Sequence, residues 1–263
     1  MSPTSHEIAR EPAEKVPTAT KRGRRLPLVA PSKPGRARDT LRLRVYRALA
    51  RGLMGGMFTP GEAVSLRTLA ARLGTSAMPV REAVSRLIAE RALVMLPNRS
   101  VIIPRMTRER FVELTRIRQK LEGMLAEMAC IKATPANVEH LAGVNAELKR
   151  SLLADDAVGA MTGNMTFHFA LYEYAGSHVA LPLVETLWLQ AGPFVALSAK
   201  LPNIRWTARH HGRLLAALRA GDGGAARRAV EDDLEESLQQ LLKKASFADG
   251  RQSDRRRQGA RLR

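Results

Sequence analysis

The stretch from 65 to 104, SLRTLAARLGTSAMPVREAVSRLIAERALVMLPNRSVIIP, leaves few ways to fold. Ser65 is placed to cap a helix running to Leu73, in which Leu66, Leu69, Ala70 and Leu73 share one face. Gly74 ends that helix, because glycine enters the left-handed region at little cost. Ser76 is placed to cap a second helix, whose first turn accommodates Pro79 without losing a helical hydrogen bond. Val80, Ala83, Val84 and Leu87 fall on its inward face, leaving Arg81, Ser85 and Arg86 to point elsewhere. Two short helices joined by a glycine turn form the unit that lays its second helix in the major groove of DNA. Downstream, LVML and SVII read as apolar strands around Pro97-Asn98-Arg99, a two-stranded wing with a cation at its tip. The competing reading is a small helical subdomain followed by an ordinary hairpin.

Charge supports the first reading. The formal net charge is +18, and it is unevenly spread. Residues 41 to 106 hold eleven basic against three acidic side chains, whereas 107 to 248 hold seventeen against sixteen. Residues 1 to 40 hold nine against four, and 249 to 263 six against two. Localised positive charge of this kind is what phosphate neutralisation requires. Hydrophobic residues make up 45% of the chain but aromatics only 4%, so the cores must be built from Leu, Ala, Val and Met, which favours helices. One cysteine, Cys130, rules out an internal disulfide framework and fits a reducing compartment. No run reaches the roughly 18 apolar residues of a membrane span, so a cytoplasmic protein is expected.

Along the chain, residues 1–38 mix Pro, Thr, Ser, Lys and Arg without periodicity and read as a disordered basic arm. Asp39 or Thr40 can cap a helix through about Leu53, with Leu41, Val45, Leu49 and Leu53 as its buried stripe. From 107 to 246 the pattern predicts six helices, roughly 107–132, 135–153, 157–175, 178–199, 203–219 and 223–245, separated mostly by Gly, Pro and Asn signals. Residues 247–263 read as a second basic tail. The fold class is therefore mainly α: a winged helix-turn-helix over 39–106 with a short β wing, then an all-α bundle with short connections.

PVREAVSRL, preceded by PGEAVSLRTLAARLGTS and followed by PNRSVIIP, resembles the winged-helix domain of GntR-type transcriptional regulators over residues 39 to 106. The resemblance implies that Arg81, the arginine of PVREA, and Arg67 contact DNA. Ser76, Ala77 and Met78 at the start of the second helix, with Arg99 in the wing, complete the expected DNA-facing set. Ala77 and Met78 depart from the arginine and threonine usual before that proline, and Ser100 replaces the usual wing glycine. Arg91 stands where glycine often closes the recognition helix, at a cost near ~1 kcal/mol.

The second half resembles the all-helical FCD effector domain of the FadR-type branch, in its shorter six-helix version. RQKLEGMLAEMA at 118 to 129, NMTFHFALYEYAGS at 164 to 177 and HHGRLLAALRAGD at 210 to 222 carry that likeness. It implies a divalent ion, zinc, nickel or manganese, held by Asn164, His168, His211 and Asp233, with Asn164 where the family more often has Asp. Spacing alone instead favours His168 packing beside Phe167 as a polar lining residue and His211 as a surface group at a helix start. Arg118 lies four residues before Glu122, a spacing for a helix salt bridge; the resemblance instead points it into an effector cavity, where its fork suits a carboxylate.

The expected function is that of a DNA-binding transcriptional regulator, a homodimer on a palindromic operator, controlled by a small organic acid. A metal-dependent enzyme using the His/Asp set, and a sequence-indifferent architectural DNA binder, are the alternatives.

Overall fold

A computed structural model describes residues 40–198 and 208–249, so the basic arm expected over 1–38, most of the C-terminal tail and residues 203–207 of the fifth expected bundle helix lie outside the described residues. The chain begins with α1 (Leu41–Met54), whose N-cap is Thr40: its side chain accepts from the Leu43 N–H. Val45, Leu49 and Leu53 are buried as the periodicity predicts, but Leu41 is not. It sits on the first turn, 42% exposed, before the helix has anything to pack against.

Next come β1 (Ala63–Val64), α2 (Leu66–Leu73) and α3 (Ala77–Ala89). Ser65 caps α2 by accepting from the Thr68 N–H, and Gly74 closes it at φ 62°. Ser76 does occupy the N-cap of α3, yet its side chain makes no capping hydrogen bond. Val80, Ala83, Val84 and Leu87 are all buried between α1, α2 and the sheet. Arg91 follows the α3 cap at φ 60°, confirming that a non-glycine residue takes the left-handed position. Arg86 does not point away from the domain: it ion-pairs with Glu90 at 2.9 Å and covers the Tyr46 ring at 3.7 Å.

The wing strands are β2 (Val94–Met95) and β3 (Val101–Ile102). The expected two-stranded wing is in fact a three-stranded antiparallel sheet of order β1-β3-β2, because Ala63 and Val64 pair with Ile102 and Val101. A two-residue strand carries too little alternation to be read from sequence. At the wing tip Arg99 has φ 61°, and Asn98 Oδ1 accepts from the Ser100 N–H at 3.1 Å.

Six described helices follow: α4 (Arg108–Lys132), α5 (Pro135–Leu153), α6 (Ala157–Tyr174), α7 (Ala180–Ser198), α8 (Arg209–Ala220) and α9 (Gly223–Lys244). Their starts are set chemically. Thr107, Asp156 and Asp222 each accept from the third residue onward, and Thr134 forms a reciprocal capping box with Asn137 ahead of Pro135. Helix α4 packs along α9 and also meets α6 and α7; α5 packs on α6, and α8 on α9. The packed chain continues beyond 246, where the tail was expected to begin: Phe247 rests against Phe111 and Phe194, and the Ala248 N–H donates to the Met106 carbonyl. No helix among the described residues is long and apolar enough to cross a membrane.

The two halves touch through α1 and α7. Glycines permit that approach. A Cβ on Gly192 would lie 2.7 Å from Met54 Cα, and one on Gly56 would lie 2.3 Å from Ala196 Cβ. Gly56 and Gly74 both have positive φ, but a Cβ on Gly74 would meet nothing within 4 Å. Gly74→Ala should therefore cost only the left-handed strain, about 1 kcal/mol. Gly56→Ala should cost that plus an overpacking penalty of about 1–3 kcal/mol. Urea unfolding of the two variants measures the difference; equal costs would mean that α1 and α7 do not meet this closely in solution.

Candidate functional site

The two expected sites are far apart in character. On the DNA-binding half, Arg67, Ser76, Ala77, Met78, Arg81 and Arg99 are all exposed. They come from the first turn of α2, the start of α3 and the wing tip, the three places from which a winged helix reaches a groove and its flanking backbone. Met78 is 70% exposed, an apolar side chain left in water by the free chain.

In the bundle, the structure brings His168, His211 and Asp233 together from α6, α8 and α9, with one ligand atom of each within 4.8 Å of the others. His168 Nε2 lies 3.3 Å from His211 Nε2 and 3.3 Å from Asp233 Oδ2. His211 is not a surface residue at a helix start: it is 3% exposed and stacked flat on Phe167, centroids 4.0 Å apart. Asn164 lines the same cavity, as do Arg118, Trp188 and Asp233.

Hydrogen bonding assigns the tautomers. Tyr172 Oη donates to Glu122 Oε2 at 2.6 Å, so its oxygen is left to accept from His168 Nδ1–H at 3.0 Å. His211 Nδ1 faces Asn145 Oδ1, an acceptor, at 3.2 Å, and so carries its proton there. Both Nε2 atoms are then lone pairs aimed at one point beside a carboxylate. Burial, and the neighbouring His168, lower the His211 pKa to about 3, which keeps it neutral. For Asp233, burial raises the carboxyl pKa, but the adjoining His168 and His211 rings outweigh it and leave it below the ordinary range. A proton on His168 Nε2 satisfies either Asp233 or His211, not both. A divalent cation satisfies all three, and ligands about 2.0–2.1 Å from a tetrahedral ion stand roughly 3.3 Å apart, the spacing of the two pairs that share His168.

The remaining polar interior is continuous with this cluster. Arg118 Nε donates to Glu122 Oε1 at 2.6 Å with both side chains buried, and the guanidinium lies 4.5 Å from the Trp188 ring centroid. The two readings of Arg118 are therefore not exclusive: it is salt-bridged and it lines the cavity. That cavity has a volume of about 20 Å³, the room of a single water or small ion.

Three members of the constellation escaped the sequence reading. Tyr172 is four residues after His168, a spacing that could have found it. Asn145 sits alone on α5, and Trp188 on a helix apolar nearly all round, so neither gave a signal.

Tyr172→Phe removes the acceptor that fixes His168 and one of the donors on Glu122. It should lower stability by about 1–3 kcal/mol and weaken binding of added zinc about 10–100-fold, measured by urea unfolding and by competition with a chelating dye. Unchanged zinc affinity would mean that Tyr172 does not orient the imidazole.

Residues 41–103 match the family described as bacterial regulatory proteins, gntR family, and residues 113–236 match the FCD domain. The chain is 27% identical over 202 residues to the HTH-type transcriptional regulator McbR of Escherichia coli, covering 76% of this chain and 91% of that one. It is 28% identical over 149 residues to the HTH-type transcriptional repressor GlaR of the same organism, covering 54% of this chain and 67% of that one. The solved structure of E. coli McbR superposes with a TM-score of 0.73 at 27% identity, covering 78% of this chain and 98% of the other. The mostly helical fold with its small three-stranded sheet matches the McbR structure, and the chain belongs to the GntR family of bacterial regulators, in the branch whose winged helix is followed by an FCD domain.

Proposed function

We propose that this regulator binds a palindromic operator as a homodimer in the cytoplasm and that a small organic acid, held in the bundle beside a divalent metal, controls the binding. That it is a DNA-binding transcriptional regulator under a small-molecule effector follows from its family and its relatives. The finer reading is carried by one observation: two imidazole lone pairs and a carboxylate converge in a cavity that also exposes the buried guanidinium of Arg118.

His168, His211 and Asp233 would hold the ion, with the Asn164 amide oxygen as a further neutral ligand from the same cavity wall. Such an ion supplies a Lewis-acidic charge that attracts an anionic effector. Asn145 and Tyr172 keep the two imidazoles in the ligating tautomer. Arg118, anchored by Glu122 and Trp188, presents a fixed cation to the acid's carboxylate. On DNA, Arg81 at the exposed face of α3 reads base edges while Arg67 and Arg99 meet the duplex beside it. Two copies are needed because one recognition helix spans too few base pairs for a specific site.

Two experiments test this. Arg81→Ala should lose about 1–3 kcal/mol of operator binding per half-site, in gel shifts on an operator selected from random DNA; unchanged affinity would refute the docking. Zinc, nickel or manganese added to chelator-stripped protein should raise its melting temperature, because the ligands meet only in the folded chain. The double change His168→Ala, His211→Ala should abolish that rise and leave DNA binding intact, while Asn164→Asp should enlarge it. Stripped protein that melts alike with and without every ion would remove the metal.

A further inference from the structure

Trp188 on α7 is only 4% exposed, and its Nε1 is a buried donor with no hydrogen-bond partner among the described residues. Native interiors seldom leave such a group unmatched, and this one belongs to a residue of the cavity wall, where an entering acceptor can match it. Trp188 forms that wall together with Arg118, Asn164 and His168. Its ring is fixed by the Arg118 guanidinium 4.5 Å from the centroid and by the His168 ring at 5.7 Å. Neither the indole nor the guanidinium can accept a hydrogen bond. The chemistry the two share is that of an anion with two acceptor oxygens.

The same helix carries the seat of the DNA-binding half. Gly192, one turn after Trp188, lines the cavity and lies against Met54 of α1, and Ala196, one turn further, lies against Gly56. Pro193, next to Gly192, has no N–H to give the carbonyl of the preceding turn, so α7 lacks one helical hydrogen bond where the cavity and the seat meet. A cavity of about 20 Å³ admits one oxygen atom comfortably; a whole acid requires its wall to yield.

We propose that the Trp188 indole N–H is the donor through which a carboxylate effector grips α7, and that the resulting shift of α7 is passed to α1 at the Gly192–Met54 and Ala196–Gly56 contacts. This rests on the organic-acid reading above. Arg118 holds the acid against the rigid core of α4, and Trp188 registers it on the helix that seats the winged helix.

The test uses full-length, zinc-loaded protein with acetate, succinate and citrate as probes, followed by calorimetry and by operator gel shift. Trp188→Phe keeps the ring beside Arg118 and removes the donor; it should bind the effective acid about ten-fold more weakly while keeping the zinc-induced rise in melting temperature. Gly56→Ala, outside the cavity, should keep the acid affinity and lose the acid's effect on operator binding. In a Trp206→Phe background the remaining indole is Trp188, and its emission should shift when the acid binds. An acid that binds wild type and Trp188→Phe equally, or leaves the Trp188 emission unmoved, overturns the inference and spares the effector reading. Retention of the operator response in Gly56→Ala overturns the transmission through α7. If none of the three acids binds wild type, the organic-acid reading fails and this inference fails with it.

Discussion

Glu122 is a carboxylate with none of its side chain exposed, set in a helical interior built of Leu, Ala and Val. Such a group is tolerated only when each oxygen has a donor, and removing one partner of a buried ion pair costs about 3–5 kcal/mol. Arg118 supplies Nε at 2.6 Å and Tyr172 its hydroxyl at 2.6 Å. The polar architecture of the bundle descends from this requirement. Because Tyr172 must donate to Glu122, it can only accept from His168, and His168 must in turn direct a bare Nε2 at His211 and Asp233. A residue of α4 thereby sets the tautomer of a residue of α6, and the lone pair that His168 turns to the cluster is fixed from two hydrogen bonds away.

The second constraint is steric. Where α1 meets α7, the glycine backbone comes close to the other element, Gly192 against the Met54 backbone and Gly56 against the Ala196 methyl, and neither leaves room for a Cβ. Close contacts of this kind move together or separate; they do not deform gradually. A weaker electrostatic link lies nearby. Glu185 on α7 has its carboxyl pKa raised, mainly by partial burial, although Arg86 of α3 and Arg47 of α1 draw it down. Arg86 is itself tied to Glu90 and Tyr46. The recognition helix, α1 and α7 thus carry charges that act on one another.

How much of this was legible depended on whether the information was local. The helices of the winged domain and bundle were, because capping residues, glycine stops and apolar spacing act within one turn: Ser65, Thr134, Asp222 and Gly74 each mark an end that the structure keeps. Strand β1 was not, since two residues pairing with a strand some forty positions later leave no pattern. Ser76 showed the limit of a local rule, occupying the cap without making its bond. His168, His211 and Asp233 were connected by resemblance and not by spacing, and only the tertiary fold decides that a helix-start histidine is buried against Phe167. Asn145 and Trp188 matter through what faces them from other helices, which no window of sequence contains.

The departures at the start of α3 have a physical consequence for recognition. Ala77 and Met78 are exposed where the resemblance leads one to expect arginine and threonine, so two hydrogen-bonding side chains give way to apolar ones. Apolar groups in a major groove read the thymine methyl and little else, at far less discrimination than a bidentate arginine on guanine. With the docking proposed above, base discrimination then falls mostly on Arg81. Affinity falls on the excess of eight positive charges between 41 and 106, which neutralise phosphate without regard to sequence. A recognition surface of this make-up binds non-specific DNA relatively well, and a single half-site discriminates poorly. With the homodimer proposed above, specificity comes from requiring two half-sites at a fixed spacing, a geometric condition that the proposed shift of α7 alters without changing any residue that touches DNA.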